Sequence, residues 1–432
     1  MRAITGILAA SALTVASQQA CALRLDYALE LGLVHSDNIN LSATDPVGQN
    51  VLIPHLDFSL SETGSTVVAE VSGVLEYRDY LGGAFGNEFR GSLNGLVNWS
   101  MVPERLNWTF ADNLGLYPVS LRNPDVPGNL QQTNVFTTGP TLRFRLTPTL
   151  QSQAELRYID SYAEETGAFD SRRYTAALRA LYDLSATRRL NGNIEFQNVK
   201  FDDNLLAEDY RRYSAYAGYT QALAQIDLNA ALGYSRIDFA SSPNASGPLA
   251  RVSLDWRATD RSTFGLAGAW QYTDAATSIS ESGAAFDAGF GGVGIGGAAI
   301  TPDVYRERRI DGTYLLQSTR LNLAALLRYG TYRYEQAAAA LANDRNEVGA
   351  GLNLGYLLRP TLTLGVTAEA VRRHFNESSL TDRNYRYGAY LSQQLSRHLR
   401  WRVDLARNER HADDGAESYD ENSLYLRLVY TH

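Results

Sequence analysis

Arginines recur at a spacing of two residues. Arg143 and Arg145 flank Phe144, and Arg400 and Arg402 flank Trp401. A guanidinium grips a carboxylate or phosphate through two parallel hydrogen bonds, so a file of such groups is a track for a charged or hydroxylated solute. Arg157, Arg251, Arg257, Arg309 and Arg328 sit at equivalent places in other segments, as do Arg179, Arg373, Arg386 and Arg427. Carboxylates share their face, among them Glu155, Asp227, Asp255, Asp311 and Asp404. The competing reading is that these charges pair with one another across neighbouring segments and fill an interior. Asp404 lies two residues from Arg402 and would neutralise it, whereas Arg143 and Arg145 have no carboxylate on their own segment.

Bond-making chemistry finds little support. None of the six histidines has metal-ligand spacing, and HExxH is absent. His35 beside Ser36 suggests a base and a nucleophile, but adjacent residues on a strand point to opposite faces. Gly292, Gly294 and Gly297 match G-x-G-x-x-G without the strand and helix that a dinucleotide site requires. No catalytic, cofactor or metal residue is assigned, and an enzyme is not expected.

The elements carrying the arginines alternate with period two. Leu142, Phe144 and Leu146 oppose Arg143 and Arg145, and Val252, Leu254 and Trp256 oppose Arg251, Asp255 and Arg257. Leu399, Trp401, Val403 and Leu405 oppose Arg400, Arg402 and Asp404. Segments of about ten residues with two unlike faces are strands that separate lipid from a polar interior. An Arg on the lipid face at mid-depth would cost about 2–4 kcal/mol, so the arginines must line a lumen. The mean hydropathy of -0.26 does not argue against this, because alternation hides membrane burial from an averaged scale.

Tight turns such as "MVPERLNW", "RLTPTLQS", "WRATDRST" and "LLRPTLTL" alternate with long connections such as "HSDNINLSATDPVGQN" and the stretch from Asp274 to Asp303. That alternation predicts an all-β fold. We expect a single transmembrane antiparallel up-and-down barrel of about 18–20 strands, with short periplasmic turns and long extracellular loops. The 26 tyrosines, amphipathic rings, suit its boundaries with water. The net charge of -8 argues against a nucleic-acid partner and is expected to sit in the outer loops, leaving a pore that prefers anions modestly. The uncharged, Gly- and Ala-rich course of Thr277 to Pro302 is expected to fold into the barrel mouth and constrict it.

Residues 1–22 read as a cleaved signal peptide. Arg2 precedes an apolar core from Ile4 to Val15, and Ala20-x-Ala22 forms a small-residue cleavage site. Cys21, the one cysteine, lacks the Leu three residues earlier that a lipidation site carries. Residues 23–432 then form the barrel, in the outer membrane of a Gram-negative bacterium. Its expected partners are outer-membrane lipid and the barrel-assembly machinery, which would take the terminal strand "LYLRLVYTH" through its apolar face and Tyr430.

The segments also resemble a known family. "HSDNINLS", with Asp37, Asn38, Ile39 and Leu41, resembles an element after the first strand of the β-barrel porins associated with PEP-CTERM and exopolysaccharide gene clusters. "LIPHLDFSLSETGS", "LEYRDYL" and "LNGLVNWSMVPERLNWTFADNLG" are similar to their second, third and fourth strand regions. The resemblance implies an outer-membrane pore linked to polysaccharide export or biosynthesis, with polysaccharide as a partner. It brings no catalytic residue. A general diffusion porin for small solutes and a non-conducting structural barrel remain the alternatives.

Overall fold

The computed structural model describes residues 23–281, 300–413 and 417–432. The proposed signal peptide and the Gly292–Gly297 motif therefore lie outside the described residues. Twenty antiparallel strands follow one another: β1 (Arg24–Ser36), β2 (Gln49–Thr63), β3 (Val67–Tyr80), β4 (Glu88–Val102), β5 (Leu106–Pro118), β6 (Leu130–Arg145), β7 (Leu150–Ala163), β8 (Ser171–Ser185), β9 (Arg188–Phe201) and β10 (Tyr210–Ala222). The second half comprises β11 (Ile226–Phe239), β12 (Ala245–Thr259), β13 (Ser262–Thr273), β14 (Tyr305–Gln317), β15 (Leu321–Tyr334), β16 (Arg345–Arg359), β17 (Leu362–Phe375), β18 (Leu380–Gln394), β19 (Leu399–Ala412) and β20 (Tyr419–Thr431). Two short helices, α1 (Ala275–Glu281) and α2 (Ala337–Asn343), lie in connections.

Each strand pairs with its sequence neighbours, and β1 pairs with β20 from Ala28↔Thr431 to Ser36↔Ser423. The sheet is therefore closed, with no free edge. Closure gives every strand a ladder partner on both sides, which a sheet in lipid requires. Nine tight turns and both described termini share one rim, and the other ten connections, all of them longer except the four-residue β17–β18 turn, share the other. The loop-rim connections hold twenty carboxylates and a single arginine, Arg122, so the negative charge of the chain resides there.

The period-two pattern sorts the two faces as expected. On β8, Tyr174, Leu178 and Tyr182 stand exposed on the outer wall, while Arg173 and Ala177 are buried inside. Leu178, Ile194, Leu232 and Leu327 are each more than 60% exposed, and they belong to one apolar belt around the barrel. A belt of this extent is a lipid-facing surface rather than one for water. Aromatic rings bound it on both sides. Toward the loops, Tyr158–Tyr174 and Phe196–Tyr213 pack at 5.4 and 5.2 Å between centroids. Toward the turns, Trp256, Phe264 and Tyr314 on three consecutive strands pack at 5.5 and 4.6 Å. Offset and tilted rings at these spacings add about 0.5–1.5 kcal/mol per pair beyond their buried area.

The strands are longer than the ten residues read from the sequence, running from 12 in β13 to 16 in β6. A tilted strand crosses the hydrocarbon in about 9–11 residues, so the excess projects beyond it at the loop rim. Packing is uneven along the barrel. Buried side chains gather in the loop half, where Val135, Phe169, Ile300, Tyr305 and Tyr332 form one cluster. In the turn half the inward side chains remain partly exposed and line a wide vestibule.

Candidate functional site

At the loop end the described start of the connection between β13 and β14 enters the lumen. Its first residue, Asp274, receives a 2.6 Å ion pair from Arg173 on β8 and a 2.8 Å hydrogen bond from the Tyr210 hydroxyl on β10. β8 and β13 are five strands apart, so this contact spans the interior and not the ladder. The same carboxylate caps α1, accepting bonds from the Thr277 N–H at 3.1 Å and its hydroxyl at 2.8 Å. Burial alone would raise the Asp274 carboxyl, but Arg173, Arg212 and the hydrogen bonds more than reverse this and hold it well below the usual carboxylate range. Ala275, Ala276 and Ile279 then lay α1 against Val135, Ala163 and Phe169, on the β6–β8 side. The expectation that Thr277 to Pro302 folds into the mouth therefore holds at the described ends, Thr277–Glu281 and Ile300–Pro302. What residues 282–299 add lies outside the described residues.

A second connection, between β5 and β6, also turns inward. Asn129 braces it by donating to the carbonyls of Ser120 at 2.9 Å, Pro124 at 3.0 Å and Asn123 at 3.2 Å. Arg410 on β19 donates to the Asn123 carbonyl at 3.0 Å and to the Arg122 carbonyl, while pairing with Asp382 at 2.8 Å. Leu121 packs with Phe375. Nothing in the residues of this connection signals the inward fold beyond its length.

The nine sequence-nominated arginines divide by position. Arg143, Arg145 and Arg400 lie in the turn half, and among the described residues none of them forms an ion pair. Arg143 lies 3.0 Å from the Asn107 amide oxygen. Arg402 pairs with Asp404 at 2.6 Å and sits 3.8 Å over the Tyr390 ring, and Arg427 shares the same carboxylate at 2.7 Å. Arg257 pairs with Asp227 at 2.6 Å. Arg309 bridges Glu307 and Asp311 at 3.0 Å each, and Arg328 bonds Asp311 as well. Arg251 reaches Glu281 at the end of α1 at 3.3 Å and so ties the inward loop to the wall.

Arg157 has a different task. The β6–β7 ladder skips Gly139 and Pro140, where proline offers no N–H. The Arg157 guanidinium fills this gap, donating to the Pro140 carbonyl at 2.8 Å, the Leu156 carbonyl at 2.9 Å and the Thr141 hydroxyl at 2.7 Å. Gly139 is required here, because its φ is 153° and a Cβ would run into the Leu156 carbonyl. His35 faces outward to Asn50 at 2.9 Å, while Ser36 faces inward and donates to Glu421 at 2.6 Å, so the two do not meet.

Taken together, the described interior is a vestibule lined by guanidinium groups without ion pairs, leading to a constriction of self-paired charges and two inward-turned connections. A closed, even-stranded antiparallel barrel with an apolar, aromatic-girdled outer wall is the architecture of the Gram-negative outer membrane. No family model matches the chain, and no curated protein matches it significantly. Among solved structures, the Pseudomonas aeruginosa OccK2 (OpdF) complex with glucuronate is similar at 12% identity, covering 95% of this chain and 98% of that one, with a TM-score of 0.39. A BenF-like porin from Pseudomonas fluorescens gives 13%, 95% and 99%, with 0.39. The FrpB iron transporter from Neisseria meningitidis gives 10%, 94% and 82%, with 0.45. At these identities and TM-scores the likeness is one of outline and carries no residue-by-residue correspondence.

Proposed function

We propose that the chain is an outer-membrane pore that passes a charged or hydroxylated solute, with a modest preference for anions. The observation carrying this reading is the contrast within the lumen. Most inward arginines are neutralised by neighbours, yet Arg143, Arg145 and Arg400 stand without an ion pair among the described residues, on the vestibule side. A filled, merely structural interior has no use for unpaired guanidinium groups facing water. Reversal potentials across a planar bilayer with a salt gradient test the reading. An anion-preferring channel is expected, and a barrel that shows no conductance would return the structural alternative.

The link to polysaccharide export rests on the sequence resemblance. The inward loops make the solute of this closed form small, so export of a polymer would require both loops to move. Polymer secretion by the native host with the gene deleted tests that link separately from conductance.

A further inference from the structure

We propose that the outer wall at the loop rim binds the phosphorylated head groups of glycolipid in the surrounding leaflet. On β8 and β9 the outward residues follow one order from rim to membrane: a cation, an aromatic ring or amide, then an aliphatic side chain. β8 reads Arg172, Tyr174, Leu178, and β9, running the other way, reads Lys200, Asn198, Phe196, Ile194; on β11 Asp238 stands outermost and pairs with Arg236 at 2.7 Å, above Tyr234 and Leu232. Arg211 stands above Tyr213 on β10. This is the gradient of a membrane–water boundary, with the cations at head-group depth.

The register makes the arrangement specific. Arg172 lies directly opposite Lys200 across β8–β9, Arg306 opposite Arg333 across β14–β15, and Arg372 opposite Arg383 across β17–β18. Like charges directly opposite one another destabilise a sheet. Three such pairs stand at one level around the outer wall, and an anion shared between the two members of a pair relieves their repulsion; at Arg306 and Arg333 the chain's own Glu335 and Asp344 supply part of that relief. Arg172 pairs with Asp202 at 3.4 Å, while Lys200, Arg372 and Arg383 form no ion pair among the described residues. Arg333 is steadied by the Arg345 carbonyl and Asn346 at 2.7 Å each. Arg172, Tyr174, Asn198, Lys200, Phe201 and Asp202 line a cleft of about 730 Å³, room for a phosphorylated sugar.

A lipid is the source that fits, because the cations lie directly above the aromatic ring and the apolar belt, where acyl chains run. Paired cations about 5 Å apart, the spacing of adjacent strands, suit a phosphate gripped from both sides.

The test is native mass spectrometry of the folded barrel in uncharged detergent, titrated with diphosphorylated lipid A. Up to three lipids are expected on the wild type, falling to two in K200Q and to one in K200Q/R383Q. K200R should retain all three. Thermal unfolding supplies a readout that loss of folding cannot mimic. Without lipid, K200Q should unfold at the same temperature as the wild type or higher, since a repulsion is removed. With lipid A its gain should be smaller than the wild type's. Equal binding of dephosphorylated lipid A, unchanged stoichiometry in K200Q/R383Q, or full displacement by millimolar inorganic phosphate would each overturn the proposal. Conductance of K200Q is expected to be unchanged, so the outcome is independent of the pore reading.

Discussion

Arg173 and Asp274 hold a 2.6 Å ion pair across the lumen, between side chains that are both almost fully buried. Breaking a buried pair by removing one partner leaves an uncompensated charge and costs about 3–5 kcal/mol. Because the barrel ladder does not depend on this pair, the cost falls on the inward loop. Asp274→Asn is expected to release α1, raise single-channel conductance severalfold and expose Ala275–Glu281 to protease, with the β-sheet circular dichroism unchanged. Deleting residues 276–299 should raise conductance at least as much.

Asp303, in the same connection, gives the constriction a pH dependence. Burial pushes its carboxyl up to about 6 from 3.8. The inward loop therefore holds a proton that a released loop gives up in the window from 3.8 to about 6. Its placement is strengthened as pH falls through 6 and weakened above it. Conductance at pH 5 is expected to be lower than at pH 7. Asp303→Asn, permanently neutral, should give the low value at both.

Arg143 and Arg145 face the vestibule about 7 Å apart, the two-residue repeat of a strand. Replacing both by Glu changes the local charge by four units without touching the constriction. Reversal potentials should move toward cation preference, with conductance changing less than twofold. A charge reversal that leaves selectivity unmoved would assign the two arginines to packing alone.

Glu347 is the shared anion of a buried cluster, 3.0 Å from Arg373 and 3.7 Å from Arg345, whose guanidinium also lies 4.1 Å over Tyr332. Glu347→Ala strands two cations and should destabilise the barrel by about 3–5 kcal/mol. Glu347→Gln keeps the acceptor and should cost less. Urea unfolding of barrels refolded into vesicles measures both.

The barrel was legible because its evidence is local. Leu142, Phe144 and Leu146 alternating with Arg143 and Arg145 state both faces of one strand without reference to any other. The turns were legible for the same reason. The constriction was not, because Arg173 and Asp274 are 101 residues apart and no periodicity links them. The β5–β6 connection gave only its length. The outward cations were missed for a third reason. Reading every charge on an alternating strand as inward holds only at membrane depth, and these strands run past it, where Arg172 and Lys200 can face outward at little cost. Arg157 shows a fourth limit: its place on an alternating strand is local, but its occupation by the Pro140 carbonyl depends on a ladder gap that becomes visible only when β6 and β7 are paired.

The seam between β1 and β20 joins nine residue pairs, where β1 and β2 join thirteen. Every other ladder links strands close in sequence and can form as a hairpin zips. The seam links the two ends of the chain and must form after the sheet has curled. It is therefore the stretch that orders assembly: no hairpin can nucleate it, and it closes only after β1 and β20 have each paired on their other side.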